Sequence, residues 1–161
     1  MLPPLERTLH QLIHARGLKL CAAESCTGGL ISHRITNVPG SSEYFMGGIV
    51  AYSYEAKAAV LGVSWDTLNG RGAVSPETVL EMARGARRAL QSDIAVSVSG
   101  IAGPGGGTNE KPVGTTWIAL VAPEGEWTRH FVWRGSREQN KELSCDAALE
   151  LIIEYLEGKL P

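Results

Sequence analysis

A short apolar run that ends in a polar, glycine-rich turn is the feature that most constrains how this chain can fold. Residues 18–23 are leucine, cysteine and alanine with one lysine, and the sequence ESCTGG follows at once over residues 24–29. An apolar run of this length is typical of a buried strand, and a glycine pair allows a tight turn. Apolar residues then recur at helical spacing through Ile35 and stop before Pro39. The segment therefore predicts a strand–turn–helix unit of an α/β fold.

The rest of the chain continues this alternation of helical and strand patterns. Helical spacing or helix-starting residues predict further helices over residues 4–16, 55–61, 75–91 and 137–156. Apolar or β-branched runs predict further strands over residues 48–52, 93–99, 113–121 and 126–133. The last two strands are predicted to be antiparallel neighbours joined by a turn at residues 123–125. We therefore expect residues 1–161 to form a single domain, a three-layer α/β/α sandwich with a mixed, mostly parallel sheet.

The composition excludes several classes of partner and location. A net charge of −2 over 161 residues gives no basic surface of the kind that nucleic-acid binding requires. The amino terminus lacks the pattern of a signal peptide, and no window reaches the roughly 18 apolar residues of a membrane span. Three scattered cysteines without a CxxC motif do not form a disulfide framework. We expect a cytoplasmic protein with reduced thiols that binds neither nucleic acid nor membrane.

Ser25 and Lys57 are the candidate nucleophile and base. A serine hydroxyl is a weak nucleophile unless a neighbouring base takes its proton. None of the four histidines lies beside a glycine-rich turn, and lysine can replace histidine when desolvation lowers the lysine pKa. Lys57 follows the predicted strand end at Tyr52 by five residues, so we expect it to reach towards Ser25. Tyr52 is predicted to orient the lysine or to donate a hydrogen bond to the developing oxyanion.

Ligands in α/β folds bind beyond the carboxyl ends of the strands, which directs attention to three predicted strand ends. Ser25, Tyr52 and Ser99 each lie at or just past such an end, and the glycine-rich segment 100–108 follows Ser99. Backbone N–H groups in such a segment can bind phosphate or stabilise an oxyanion, although many glycine-rich segments are simply mobile loops. Cys26 is open to two interpretations, as an alternative nucleophile or as a small buried thiol. His10 and His14 lack the acid of a metal-binding HExxH motif, so no metal site is predicted.

Six motifs in order resemble the C-terminal domain of the CinA (competence/damage-inducible) family, and the likeness spans nearly the whole chain. The family includes nicotinamide-nucleotide amidohydrolases of the PncC type. The motifs are AESCTGG at residues 23–29, FMGGIVAY at 45–52, EAK at 55–57, GAVS at 72–75, GIAGPGGGT at 100–108 and KPVGT at 111–115.

The resemblance implies an activity. It implies hydrolysis of the carboxamide of nicotinamide mononucleotide to nicotinic acid mononucleotide and ammonia, without metal or cofactor, by a homo-oligomer. Ser25 would attack the amide carbon, with Lys57 as base and Tyr52 assisting. Substrate-binding residues are implied in the turn after the nucleophile, the glycine-rich loop and the last helix: Cys26, Thr27, Gly28, Gly29, Ser99, Gly100, Gly103, Gly105, Gly106, Thr108, Arg137 and Lys141.

Three positions depart from the family pattern. Tyr54 stands where asparagine is usual, and Ser136 stands where Gly-Asp-Arg is common before the last helix. Lys141 stands where a second arginine is common, and lysine cannot make the bidentate phosphate contact that arginine makes. These departures favour an alternative, a non-catalytic module that binds a pyridine nucleotide or a partner protein. A third hypothesis keeps the chemistry and changes the substrate to another small amide.

Overall fold

The secondary structure alternates between helices and strands along the chain. The computed structural model describes residues 4–161. In chain order the elements are α1 (Leu5–Arg16), β1 (Leu20–Glu24), α2 (Leu30–Thr36), β2 (Phe45–Val50), α3 (Tyr54–Leu61), α4 (Trp65–Arg71), α5 (Pro76–Leu90), β3 (Ile94–Gly100), β4 (Thr115–Ala122), β5 (Gly125–Val132) and α6 (Arg137–Leu156). A short 3₁₀ turn at Ser41–Glu43 precedes β2.

The sheet has the order β2-β1-β3-β4-β5. Strands β2, β1 and β3 pair in parallel, whereas β4 is antiparallel to both of its neighbours. Because β5 is antiparallel to β4, β5 runs in the direction of the first three strands. The predicted three-layer α/β/α fold with a mixed sheet is confirmed, and β4 alone runs against the other described strands.

Two apolar cores lie on the two faces of the sheet. One core joins the sheet to α1, α2 and α6, and the other joins it to α3, α4 and α5. Consecutive strand residues enter opposite cores, as Val96 and Ala95 do in β3, because side chains alternate across a strand. Ala22 and Ala23 at the end of β1 divide in the same way. This alternation determines which layer each polar residue after β1 can reach.

Local capping explains why some helices begin where the sequence predicts. Ser75 accepts a hydrogen bond from the Thr78 amide at the start of α5, and a reciprocal capping box joins Ser136 to Gln139 at the start of α6. Two details differ from the prediction. Strand β2 begins at Phe45 and ends before Tyr52, and α4 was not predicted because its short sequence, WDTLNGR, is rich in weak helix formers. Within residues 4–161, no helix is both long enough and apolar enough to cross a bilayer.

The close approach of α5 to the end of α3 depends on Gly85. A Cβ atom at Gly85 would lie 1.8 Å from the carbonyl oxygen of Leu61, a backbone atom that cannot move without displacing α3. We expect Gly85→Ala to lower the free energy of unfolding by about 1–3 kcal/mol or more, because it overpacks this crossing. Urea denaturation followed by circular dichroism would measure the loss.

Gly70→Ala is the matched control, because a Cβ atom at Gly70 in α4 would meet no atom within 4 Å. Removing a helical glycine there should raise the free energy of unfolding by about 0.5–1 kcal/mol. Equal denaturation midpoints for the two variants would contradict the tight crossing at Gly85.

Candidate active site

The end of β1 directs two consecutive polar residues into opposite layers. Glu24 is the last residue of β1, and the Ser25 amide continues the sheet pairing by donating to the Val98 carbonyl at 3.0 Å. Since side chains alternate along a strand, Glu24 follows Ala22 towards α2, and Ser25 follows Ala23 towards α3. The candidate nucleophile therefore faces the layer that carries Lys57.

Lys57 is buried in α3 with its amino group at the end of the sheet. Its side chain is 1% exposed, and Nζ lies 2.8 Å from Ser25 Oγ. Nζ also lies 3.1 Å from the carbonyl oxygens of both Ala51 and Tyr52. Among the described residues Lys57 has no ion-pair partner, and burial lowers its pKa from the usual lysine value.

These three contacts suit a neutral amine that acts as a base. Carbonyl oxygens can only accept hydrogen bonds, so the Ala51 and Tyr52 carbonyls take both N–H bonds of a neutral lysine. The remaining lone pair on Nζ then faces the Ser25 hydroxyl, which can donate its proton. The geometry therefore allows direct proton transfer from Ser25 to Lys57.

Glu24 is a structural residue that sequence reasoning did not single out. Its carboxylate is fully buried and accepts hydrogen bonds from Thr27 Oγ1 at 2.6 Å, the Ile31 amide at 2.9 Å, and the Ser32 amide and hydroxyl at 3.0 and 2.7 Å. These bonds join the end of β1 to the first turn of α2 and fix the turn that carries Ser25. An acid at the end of an apolar strand, with a helix start just beyond it, was the available signal.

A cavity of about 250 Å³ opens at the carboxyl ends of the parallel strands and contains the Ser25–Lys57 pair. The predicted residues that line it are Ser25, Cys26, Tyr52, Lys57, Ser99, Gly100, Gly103, Gly105, Gly106 and Arg137. Four further residues that were not predicted complete the wall: Ala73, Val74, Ile101 and Ala102. Segments distant in sequence therefore meet at one site.

Five of the predicted binding residues do not line this cavity. The Thr27 hydroxyl is bonded to Glu24, Gly28 and Gly29 form the turn into α2, and Thr108 caps an exposed turn through the Lys111 amide. Lys141 lies behind the nucleophile turn, with Nζ 3.9 Å from the position of a Cβ atom at Gly28. Direct substrate contact by these residues remains a prediction, and their observed contacts are within the protein.

Arg137 and Tyr52 form the rim of the cavity. The exposed Tyr52 phenol accepts a hydrogen bond from Arg137 Nη2 at 3.0 Å, and Arg137 Nη1 donates to the Gly103 carbonyl at 2.8 Å. Tyr52 contacts Lys57 through its backbone carbonyl, so the tyrosine orients the lysine by its main chain. Arg137 links α6, the glycine-rich loop and the segment before α3.

Ser99 and Cys26 are both buried beside the nucleophile, and their side chains differ in hydrogen bonding and reactivity. The Ser99 side chain is 1% exposed and lines the cavity, and its hydroxyl has no hydrogen-bond partner among residues 4–161. Cys26 is 7% exposed, and burial raises the pKa of its thiol to about 11. At neutral pH Cys26 is therefore an uncharged thiol and a poor nucleophile, whereas the Ser99 hydroxyl is free to bind a ligand.

The described residues contain no group of three histidine, cysteine or acidic side chains that could hold a metal ion. The rings of His10 and His14 stack with centroids 5.9 Å apart, and His14 contacts Glu43 at the surface. Independence from metal and cofactor remains a prediction.

The sequence of this chain matches the model of a known protein family. The model of the CinA C-terminal domain matches residues 3–156. The chain belongs to the CinA C-terminal domain family. It is 50% identical over 147 residues to a putative competence-damage inducible protein of Halothermothrix orenii, a match that covers 91% of this chain and 36% of the relative. A CinA-like protein of Desulfotalea psychrophila is 47% identical over 152 residues, which cover 94% of this chain and 37% of the relative.

Solved structures of the family share the fold. The competence/damage inducible protein CihA of Agrobacterium tumefaciens is 39% identical, with a TM-score of 0.90 and coverage of 98% of both chains. A CinA superfamily protein of Klebsiella pneumoniae is 33% identical, with a TM-score of 0.92 and coverage of 96% of both chains. The chain thus matches whole solved domains, although it spans little more than a third of the curated relatives.

The buried carboxylate of this CinA domain can be tested by Glu24→Gln. The amide NH₂ replaces an oxygen that accepts from N–H and O–H groups, so at least one buried donor loses its acceptor. We expect the free energy of unfolding to fall by about 1–3 kcal/mol for each unsatisfied group, measured by urea denaturation.

Glu142→Gln serves as the control, because Glu142 is exposed on α6 and has no hydrogen-bond partner among the described residues. We expect its effect to stay within about 0.5 kcal/mol. An equally small effect of Glu24→Gln would show that the carboxylate does not stabilise the nucleophile turn.

Proposed function

We propose that this domain is an amidohydrolase that deamidates nicotinamide mononucleotide to nicotinic acid mononucleotide and ammonia. The observation that carries the proposal is the buried Lys57 amine, 2.8 Å from Ser25 Oγ inside a cavity at the strand ends. A serine with an adjacent uncharged lysine is a recognised means of activating a nucleophile for acyl transfer. Membership of the CinA family supports the choice of substrate, since the resemblance described above implies a nicotinamide-nucleotide amidohydrolase.

The first half of the reaction forms an ester and releases ammonia. Lys57 takes the proton from Ser25 as Oγ attacks the carboxamide carbon. The backbone N–H of Cys26, the residue of the 26–29 turn that lines the cavity, stabilises the tetrahedral oxyanion. The Lys57 ammonium then gives its proton to the amide nitrogen, the C–N bond breaks, and ammonia leaves an acyl-Ser25 ester.

The second half hydrolyses this ester. Neutral Lys57 takes a proton from water as the water oxygen attacks the ester carbon. Lys57 returns that proton to Ser25 Oγ as the C–O bond to the serine breaks, which regenerates the enzyme and releases the carboxylic acid. One base thus serves both steps, and one molecule of water is consumed for each amide hydrolysed.

The remaining cavity residues have roles in binding the nucleotide. The free Ser99 hydroxyl, buried close to the nucleophile, suits a hydrogen bond to the carboxamide. The phosphate would lie towards the rim, where Arg137 is exposed and the backbone of the glycine-rich loop is accessible. Arg137 would exchange its contacts with Gly103 and Tyr52 for contacts with the phosphate.

One observation favours the alternative of a binding module or a different amide substrate. Lys141, the predicted second cation for the phosphate, lies beside Gly28 and outside the cavity. Among residues 4–161, the site then has only Arg137 as a cationic side chain at its rim, in addition to the buried lysine. A weakly held phosphate would fit nucleotide binding without turnover, or an amide that carries no phosphate.

Ammonia release from nicotinamide mononucleotide tests the proposed chemistry. We expect Ser25→Ala and Lys57→Met each to reduce kcat by about a thousandfold or more, because each removes a member of one functional unit. Ser42→Ala, a surface serine, should leave kcat unchanged. The released ammonia is measured by an assay coupled to glutamate dehydrogenase. Binding of the nucleotide to the Ser25→Ala variant is measured by isothermal titration calorimetry.

The outcomes separate the hypotheses. Binding by the wild type without ammonia release would show the non-catalytic module. Turnover of another amide, but not of this nucleotide, would keep the chemistry and change the substrate. Activity retained by Ser25→Ala and lost in Cys26→Ala would transfer the nucleophile to Cys26.

The pH dependence of kcat/KM tests Lys57 as the base. Catalysis requires the neutral amine, so the rate should rise with pH as Lys57 loses its proton. Because burial lowers the pKa of Lys57, the rise should level off at a pH below about 10.4, the usual lysine value. A kcat/KM that does not fall at acid pH while the protein stays folded and chemistry limits turnover, or one that rises only beyond about pH 10.4, would contradict this role.

A further inference from the structure

A second cavity, of about 480 Å³, adjoins the active-site cavity at Val74. Val74 lines both cavities. The second cavity is walled by the end of α4, the start of α5, the turn at residues 110–111 and the paired strands β4 and β5. Apart from Val74, the residues that line this cavity have no role in the proposed reaction. The cavity is therefore considered as a separate site.

An aromatic pair forms one wall of the second cavity. Trp117 and His130 are directly opposite each other in the β4–β5 register. Their rings stack with centroids 4.5 Å apart and planes inclined by 19°. The two strands hold both rings, so the pair offers a preformed surface for a flat heterocycle, which binds to aromatic side chains by stacking.

The indole N–H of Trp117 distinguishes this residue from Trp127 in β5 and from Trp133, which follows β5. Trp127 Nε1 donates to the Pro161 carbonyl at 3.1 Å, and Trp133 Nε1 donates to Ser144 Oγ at 2.9 Å. In the part of the chain that the structure describes, Trp117 Nε1 has no acceptor. The aromatic wall therefore carries a donor that is free to bond a ligand.

The charges around the cavity are balanced. Arg71 and Lys111 are present with Glu77 and Glu110. Arg71 Nε lies 3.5 Å from a Glu77 carboxylate oxygen, and the Lys111 amino group donates to the Arg71 carbonyl. Equal numbers of cations and acids suit an uncharged ligand with several hydrogen-bonding groups better than a polyanion. Carboxylates of this kind accept hydrogen bonds from the hydroxyls of a ribose.

We propose that the second cavity is a nucleoside-binding site. The base stacks on the Trp117–His130 pair, and the sugar hydroxyls bond to the acidic side chains of the rim. A bound nucleoside contacts Val74, which also lines the active-site cavity. The site is defined by binding alone and does not require the domain to be a deamidase.

Calorimetric titration of the intact chain with adenosine tests this site. We expect binding by the wild type and a loss of affinity on the order of tenfold or more in His130→Ala, because one stacking ring is removed. His130 is exposed, so this variant should retain the fold. Trp117→Leu should have at least as large an effect, and its circular dichroism would confirm folding. Trp65→Ala, which removes a half-exposed tryptophan elsewhere on α4, should bind as the wild type does.

Three results would overturn the proposal. The first is no adenosine binding by the folded wild type at millimolar concentration. The second is unchanged affinity in both His130→Ala and a folded Trp117→Leu variant. The third is adenosine binding that saturating nicotinamide mononucleotide abolishes and that His130→Ala does not affect, which would place adenosine in the active site. All three results are measurements of adenosine affinity, so they can be distinguished from a failure of the deamidase assay.

Discussion

The Lys57 amino group is buried with no counter-ion among the residues that the structure describes, and the arrangement of the active site depends on this constraint. A lysine cation removed from water and given no carboxylate partner is unfavourable, and this burial lowers the pKa of Lys57. The protein supplies two main-chain carbonyls, Ala51 and Tyr52, and the Ser25 hydroxyl instead. The carbonyls come from the junction between β2 and α3, so the position of the base is set largely by the backbone.

The alternation of side chains at the end of β1 places the hydrogen-bonded Glu24 and the candidate nucleophile Ser25 on opposite faces of the sheet. Glu24 enters the layer of α2 and accepts four hydrogen bonds there, while Ser25 enters the layer of α3 and meets Lys57. A register shift of one residue would exchange these faces, so that the carboxylate would meet the lysine and the serine would face α2. The parallel pairing of β1 with β2 and β3 fixes the register, and the nucleophile therefore depends on the whole centre of the sheet.

Prediction from sequence succeeded where the signal was local or followed from a general rule of the fold. The bounds of α6 could be predicted from the pattern itself, and the meeting of Ser25 with Lys57 followed from the rule that parallel strands end at one edge. The role of Glu24 was not predicted, because two of its four donors are backbone amides, which the sequence does not identify. Its position between an apolar strand and a helix start was the available signal. The placement of Lys141 outside the cavity depends on how α6 packs, which a resemblance in sequence does not specify.

The glycine-rich loop has two kinds of glycine, and packing requires only one of them. Gly103 has a positive φ of 91°, and a Cβ atom there would lie 2.5 Å from Val113 Cγ1, so the fold itself requires glycine at this position. The loop is also held by Asn140, whose Nδ2 donates to the Ala102 carbonyl at 3.0 Å, and by the Arg137 contact with Gly103. Gly105 lines the cavity, yet a Cβ atom there would meet no atom within 4 Å. Packing among the described residues does not require glycine at Gly105, and contact of its open backbone with a substrate stays a prediction.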